Sequence, residues 1–152
     1  MTATLPALAF AGIGLMGLPM TRRLLAAGYP LTLWNRTPDK CAPLLAQGAQ
    51  RVENPAELCR NANVVMLCLA NTEVVREVVF GPGGIVEGAR PGQLLVDFSS
   101  LEPAATREMA AELEARTGMR WVDAPVSGGT PGAEAGTLAI MAGGREEDVE
   151  RV

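Results

Sequence analysis

Histidine is absent from the 152 residues, and lysine occurs once, as Lys40. Without an imidazole the chain holds no His-based triad, no histidine general base and almost no route to a catalytic zinc site. Cysteine is scarce and odd in number: Cys41, Cys59 and Cys68, with no C-x-x-C pair. Three isolated thiols fit neither a disulfide framework nor a thiolate metal site, so no bound metal is expected. Cys68 lies in the apolar run Val64-Val65-Met66-Leu67-Cys68-Leu69 and reads as a small buried hydrophobe. Reduced thiols fit a cytoplasmic protein. Basic residues are the minority charge, 13 against 17 acidic, for a net charge of −4. The basic footprint of a nucleic-acid binder is therefore missing.

Charge is missing altogether before Arg22. That stretch superficially looks like a signal peptide or membrane anchor. No basic residue opens it, however, and Pro6, Gly12, Gly14, Gly17 and Pro19 interrupt it, whereas a spanning helix needs about 20 mostly apolar residues. No membrane segment is expected. What the chain has in quantity is glycine (17) and proline (11), the punctuation of many short elements. With 48% hydrophobic and 20% charged residues, the composition is globular and excludes disorder, and the length suits one domain.

Short apolar runs alternate with helical patterns. Leu8–Ala11, Leu31–Trp34, residues 50–52, Val64–Leu69 and Leu94–Asp97 read as strands, followed by a strand region through residues 121–126 and a last strand at Leu138–Met141. Helices are expected from Met16 to Ala27, ended by Gly28, and from a Thr37 cap with Pro38 to Gly48. Others are expected after Asn54-Pro55, from Glu73 to Val79, from Pro103 to a stop near Gly118, and from Glu146 onward. Strands separated by helices imply crossover units. The expected fold is α/β, a Rossmann-type doubly wound, mainly parallel sheet with helices on both faces.

The first strand runs into Gly12-Ile13-Gly14-Leu15-Met16-Gly17, a G-x-G-x-x-G turn that opens a helix and is followed by a second strand. That context turns a weak motif into a dinucleotide fingerprint. Gly12 permits the tight turn, Gly14 removes the side chain that would block a pyrophosphate, and Gly17 lets helix and strand approach. The free N–H groups and positive end of the helix then face the phosphates. After the second strand, NAD-type folds place Asp or Glu for the ribose hydroxyls; this chain has Asn35-Arg36-Thr37. Arg36 would attract a 2′-phosphate, and Thr37 can add a hydroxyl. The competing reading makes Arg36 a solvated charge and Thr37 a helix cap. The expectation is a preference for NADP over NAD.

The segment Gly12-Ile13-Gly14-Leu15-Met16-Gly17-Leu18-Pro19-Met20 resembles the β-hydroxyacid dehydrogenase family, which includes 3-hydroxyisobutyrate dehydrogenase, 2-hydroxy-3-oxopropionate reductase, glyoxylate/succinic semialdehyde reductase and, more distantly, 6-phosphogluconate dehydrogenase. Asp123-Ala124-Pro125-Val126-Ser127-Gly128-Gly129 is similar to that family's substrate-binding segment. Leu69-Ala70-Asn71-Thr72 sits where the family holds cofactor after the fourth strand, with alanine for a common proline. Asp97-Phe98-Ser99-Ser100 resembles the family's Asp-x-Ser-Thr element, with Ser100 for threonine. The resemblance implies substrate carboxylate binding by Ser127, Gly128 and Gly129. Exposed backbone N–H groups of such a turn could form an anion-binding nest, though the residues alone also fit a plain strand-ending turn.

The resemblance implies one thing more. Family members carry about 290 residues and a second, helical domain whose first long helix holds a G-x-x-x-K-x-x-x-N motif, with lysine as general acid/base. No such motif occurs in this chain, and Lys40 falls beside the adenine end. The resemblance places the family's lysine beyond Val152. Residues 1–152 are thus expected to be the NADP-binding domain of an oxidoreductase, lacking the helical domain and any catalytic residue of its own. A full-length homo-oligomer acting on a small carboxylate substrate is also implied. The alternative is a dinucleotide-binding module without chemistry; a lysine in the G-x-x-x-K-x-x-x-N helix would distinguish the two.

Overall fold

The computed structural model describes residues 3–152. The strands of the main sheet are β1 (Leu8–Ala11), β2 (Leu31–Trp34), β3 (Gln50–Arg51), β4 (Val64–Leu67), β5 (Leu94–Asp97) and β6 (Arg120–Asp123). All are parallel, in the order β3-β2-β1-β4-β5-β6. This is the doubly wound order in which the chain reverses direction across the sheet between β1 and β4, and ligands bind outside the carboxyl ends of the strands at that reversal. Two further strands, β7 (Val126–Ser127) and β8 (Ala139–Ile140), form a separate antiparallel ribbon.

The helices are α1 (Gly17–Ala26), α2 (Ala42–Leu45), α3 (Thr72–Phe80), α4 (Pro103–Thr117), α5 (Gly129–Ala135) and α6 (Glu146–Arg151). Their packing follows from the period-2 alternation of the strands. Ala9, Ala11, Val65, Leu67, Leu95 and Trp121 face one side, where they meet Val75, Val78 and Val79 of α3 and Met109 and Leu113 of α4. Leu8, Phe10, Leu31, Leu33, Met66, Val96 and Val122 face the other side, toward Leu18, Met20 and Leu24 of α1, Leu44 of α2 and Val149 of α6. Both faces of the sheet are therefore apolar, which is why its strands read as continuous hydrophobic runs.

The expected boundaries hold where a cap or stop residue defines them. Asn54 accepts a hydrogen bond from Glu57 N–H (3.1 Å) at a 3-10 turn over Pro55–Cys59, and Gly118 ends α4 in the left-handed conformation. Four expectations need correction. The strand expected over Val64–Leu69 ends at Leu67. The single helix from Pro38 to Gly48 is instead a 3-10 turn, Pro38–Cys41, followed by the one-turn α2, and Thr37 makes no side-chain cap bond. Pro43, which supplies no N–H, lies at the junction. Residues 121–126 do not form one strand: β6 stops at Asp123, and Val126 starts the ribbon. The last expected strand, around residues 138–141, pairs antiparallel in that ribbon rather than extending the sheet.

Helix α5 was not legible at all. Gly129, Pro131 and Gly132 are poor helix formers. The segment is helical because it packs against α1, burying Gly132 and Ala133.

Candidate functional site

The glycine turn lies at the carboxyl end of β1, against β4. Gly12 has φ +102°, and a Cβ there would run into the Cys68 carbonyl; a Cβ on Gly17 would run into the Gly12 carbonyl. Both residues are compelled by close backbone approach. Gly14 differs: a Cβ built on it meets nothing within 4 Å. Its missing side chain is explained by space outside the protein, not by packing. The first backbone bond of the helical turn runs from Leu18 N–H to the Gly14 carbonyl (3.0 Å). The N–H groups of residues 14–17 thus have no intrahelical acceptor, at the positive end of α1.

Asn35 fastens the turn to β2. Its Oδ1 accepts the Ile13 N–H (2.9 Å), and its Nδ2 donates to the Thr37 carbonyl (2.9 Å). Both ends of the amide are engaged, so Asn35 shapes the backbone on either side of the cleft. The Ile13 side chain is buried in the core. Across the cleft, the N–H of Leu69 donates to Ser99 Oγ (2.9 Å). Asn71 accepts from Val74 N–H (3.0 Å) and caps α3, whose first residue is Thr72.

These elements enclose a cleft of about 280 Å³ lined by residues that the sequence reading groups together: Gly12, Gly14, Asn35, Arg36, Thr37, Leu69 and Ala70. Trp34, Val74 and Val78 form apolar walls that the sequence reading missed. The signal was available, since α3 follows β4 directly and must present one face to this edge. Lys40 lines the same cleft and also an adjoining one beneath Ile13, Gly14, Leu15 and Arg22. Leu15 is 86% exposed. Met16, Gly17, Asn71, Thr72 and Ser100 line neither cleft. Val152, the residue after α6, lines neither: it lines a separate apolar pocket with Leu8, Tyr29 and Val149.

Arg36 Nη2 contacts Glu77 Oε2 of α3 (2.9 Å), with both side chains about two-thirds exposed. Such a pair is worth only about 0–1 kcal/mol, so Arg36 is held over the cleft without being committed to Glu77. Ser127, Gly128 and Gly129 lie where the ribbon enters α5. Gly128 (φ +134°) and Gly129 (φ +61°) take conformations that few other residues adopt, and Ser127 is exposed.

Burial raises every perturbed group near these elements. The thiols of Cys59 and Cys68 are pushed up to about 11, with the Asp97 carboxylate adding to the effect on Cys68. At pH 8 that leaves on the order of one thiolate per thousand. Disulfide reagents should therefore modify these two thiols in the native chain at least about tenfold more slowly than in the denatured chain. A colorimetric thiol titration at pH 8 checks this, and a fast native phase involving Cys68 would contradict it. Asp123 is also raised by burial.

The family model for the NAD-binding domain of 6-phosphogluconate dehydrogenase matches residues 7–152. The chain belongs to that family. The 2-(hydroxymethyl)glutarate dehydrogenase of Eubacterium barkeri is 41% identical over 143 residues, covering 94% of this chain and 47% of that protein. Among solved structures, the Mycobacterium tuberculosis 3-hydroxyisobutyrate dehydrogenase with L-serine matches at TM-score 0.89 and 36% identity, over 97% of this chain and 49% of its own. Psf3 in complex with NADP+ and 2-OPP matches at TM-score 0.90 and 34% identity, over 95% and 51%. The chain spans about half the length of these family members. Among its described residues, no helix is long and apolar enough to cross a membrane.

Proposed function

We propose that residues 1–152 form the NADP-binding domain of an oxidoreductase that moves a hydride between the cofactor and a small β-hydroxy acid or aldehyde acid. The observation that carries this reading is the open space over Gly14, beside unpaired α1 N–H groups, in a cleft that ends at Arg36 and Lys40. A dinucleotide fits that arrangement. Gly14 and the α1 N–H groups would hold its pyrophosphate, Trp34 and Val74 would flank its adenosine, and Arg36 would hold its 2′-phosphate. The bound cofactor supplies or accepts the hydride at its nicotinamide ring. The chain's own residues position it: Leu69 and Ala70 on one side, Asn71, Thr72 and Ser100 further along the same edge. Ser127, Gly128 and Gly129 anchor the substrate carboxylate through the Ser127 hydroxyl and the backbone N–H groups where α5 begins. The proton at the substrate oxygen comes from the lysine of a helical domain that follows Val152 in the full-length protein, a cytoplasmic homo-oligomer.

The preference for NADP rests on the absence of a carboxylate after β2. Asp or Glu there would accept ribose hydroxyls and repel a phosphate; Arg36 does the reverse. The substitution Arg36→Ala should weaken NADP binding about 10- to 150-fold, the equivalent of roughly 1.5–3 kcal/mol for a charge-assisted hydrogen bond, while changing NAD binding little. Parallel fluorescence titrations of wild type and variant with both cofactors decide the point. Equal losses for NADP and NAD would remove the 2′-phosphate assignment and leave the rest of the cleft standing.

A further inference from the structure

Asp97 ends β5 fully buried, in register between Leu67 of β4 and Asp123 of β6. Its Oδ1 accepts the Ser99 N–H (2.9 Å), and its Oδ2 has no hydrogen-bond partner. No lysine or arginine forms an ion pair with it among the described residues. A buried carboxylate without a counter-charge costs stability, and an apolar or amide side chain would fill the place at less cost. Its retention at the carboxyl edge of the sheet, beside the cleft, calls for a role other than holding the core together.

The surrounding bonds indicate the role. The sheet ladder runs one residue past the strands, with Cys68 N–H donating to the Ala11 carbonyl, Phe98 N–H to Leu67 and Ala124 N–H to Asp97. Leu69 N–H lies just beyond that ladder and is held by the Ser99 hydroxyl instead. Ser99 is in turn held by Asp97. Leu69, the end of this chain of bonds, lines the cleft with Cys68 and Ala70.

We propose that Asp97 is a positioning residue for dinucleotide binding: through Ser99 it fixes the Leu69 backbone, and so locks the loops after β4 and β5 in the arrangement that receives the cofactor. The inference rests on the reading that this cleft holds the dinucleotide. It concerns Asp97 and Ser99, neither of which touches the ligand in that reading.

The charge state supplies a readout that a purely structural role would not move. Burial pushes the Asp97 carboxyl up to about 6, with Ser99 opposing through its hydroxyl and N–H, and Asp123 across the strand pair adding to the rise. The Cys68 thiol, whose own value the Asp97 carboxylate raises, stays protonated near neutrality. Because the folded value lies above the ordinary one, protonation of Asp97 favours the fold as pH falls through 6. An ionised acceptor holds the Ser99 N–H more strongly than a protonated one, so binding should weaken as the fold gains. Stability and affinity then move in opposite directions.

The test is titration of the 152-residue chain with NAD+ and NADP+ between about pH 5 and pH 8, beside Asp97→Asn, with melting temperatures recorded at each pH. The expected result is a loss of affinity on the order of tenfold in Asp97→Asn at pH 8, shrinking toward none near pH 5 as the wild-type carboxylate takes up its proton. Comparing wild type with variant cancels titration of the ligand's own phosphate. Should Asp97→Asn fail to fold, Ser99→Ala takes its place, with the carboxylate intact, the link to Leu69 removed and the same order of loss expected. Wild-type affinity in either folded variant at pH 8, or a ratio of affinities that does not change with pH in Asp97→Asn, overturns the proposal while leaving the cleft assigned. A wild-type chain that binds neither dinucleotide overturns the cofactor reading itself, and the proposal with it.

Discussion

A valine at position 14 should leave a folded domain that binds neither NAD nor NADP. The reason is the asymmetry among the three glycines of the turn. A side chain on Gly12 or Gly17 collides with backbone carbonyls inside the protein, whereas one on Gly14 projects into open space. Gly14 also lacks a positive φ, so valine there carries no left-handed strain, and the change in stability should stay within about 0.5 kcal/mol, as for exposed substitutions generally. The affected space is the one assigned to the pyrophosphate. Displacing that group from the α1 N–H groups removes the central contact of the fingerprint, and a loss on the order of 10³-fold or more, about 4 kcal/mol, is expected. Circular dichroism melting and a cofactor titration on the same sample separate the two effects. Gly17→Val is the control and should lower the melting temperature sharply. A folded Gly14→Val chain with undiminished affinity would mean that no ligand lies over this turn.

The second large effect concerns chemistry. Purified by itself, the 152-residue chain should bind dinucleotide and fail to reduce small aldehyde acids. Hydride transfer to a carbonyl needs a proton donor at the oxygen. General acid–base assistance contributes about 10²–10⁴-fold, and positioning of the reactants more. There is no histidine, and Ser127 lines neither of the two clefts that the one lysine, Lys40, lines. Asp123 ends β6, three residues before the ribbon begins, and its carboxylate would repel a carboxylate substrate. An absorbance assay at 340 nm with NADPH and tartronate, succinate or methylmalonate semialdehyde checks this. Steady turnover of order 1 s⁻¹ would place the reacting groups inside this chain. Turnover that grew on acidification and vanished in Asp123→Asn would identify that carboxyl as the donor.

The sequence was legible where one local cause dominates. Strands β1, β2 and β5 were read to the residue because apolar runs bounded by glycine, proline or charge have few other uses in a short chain. The glycine turn was legible because its spacing and the element order agree. Elements that depend on a partner were not. The ribbon strands are two residues each and carry too little pattern to show which edge they join. Helix α5 contradicts its own propensities and exists because α1 lies beside it. At the site, Arg36 could be named as the basic residue of the cleft, but its contact with Glu77, 41 positions away, depends on α3 crossing the edge of the sheet.

The sequence by itself determined the alternation of strand and helix, the dinucleotide turn, the absence of a carboxylate after β2, the absence of histidine and the single lysine at position 40. These are properties of residue type and spacing, and they follow from steric and electrostatic rules acting over a few residues. Only the tertiary structure decided that Asn35 clamps the turn through Ile13 and that Asp97, Ser99 and Leu69 form one chain of bonds across two loops. Those relations join residues 22 and 30 positions apart. They arise from the crossover that sets β1 between β2 and β4 and brings their carboxyl ends to a common edge, a juxtaposition that no local pattern encodes.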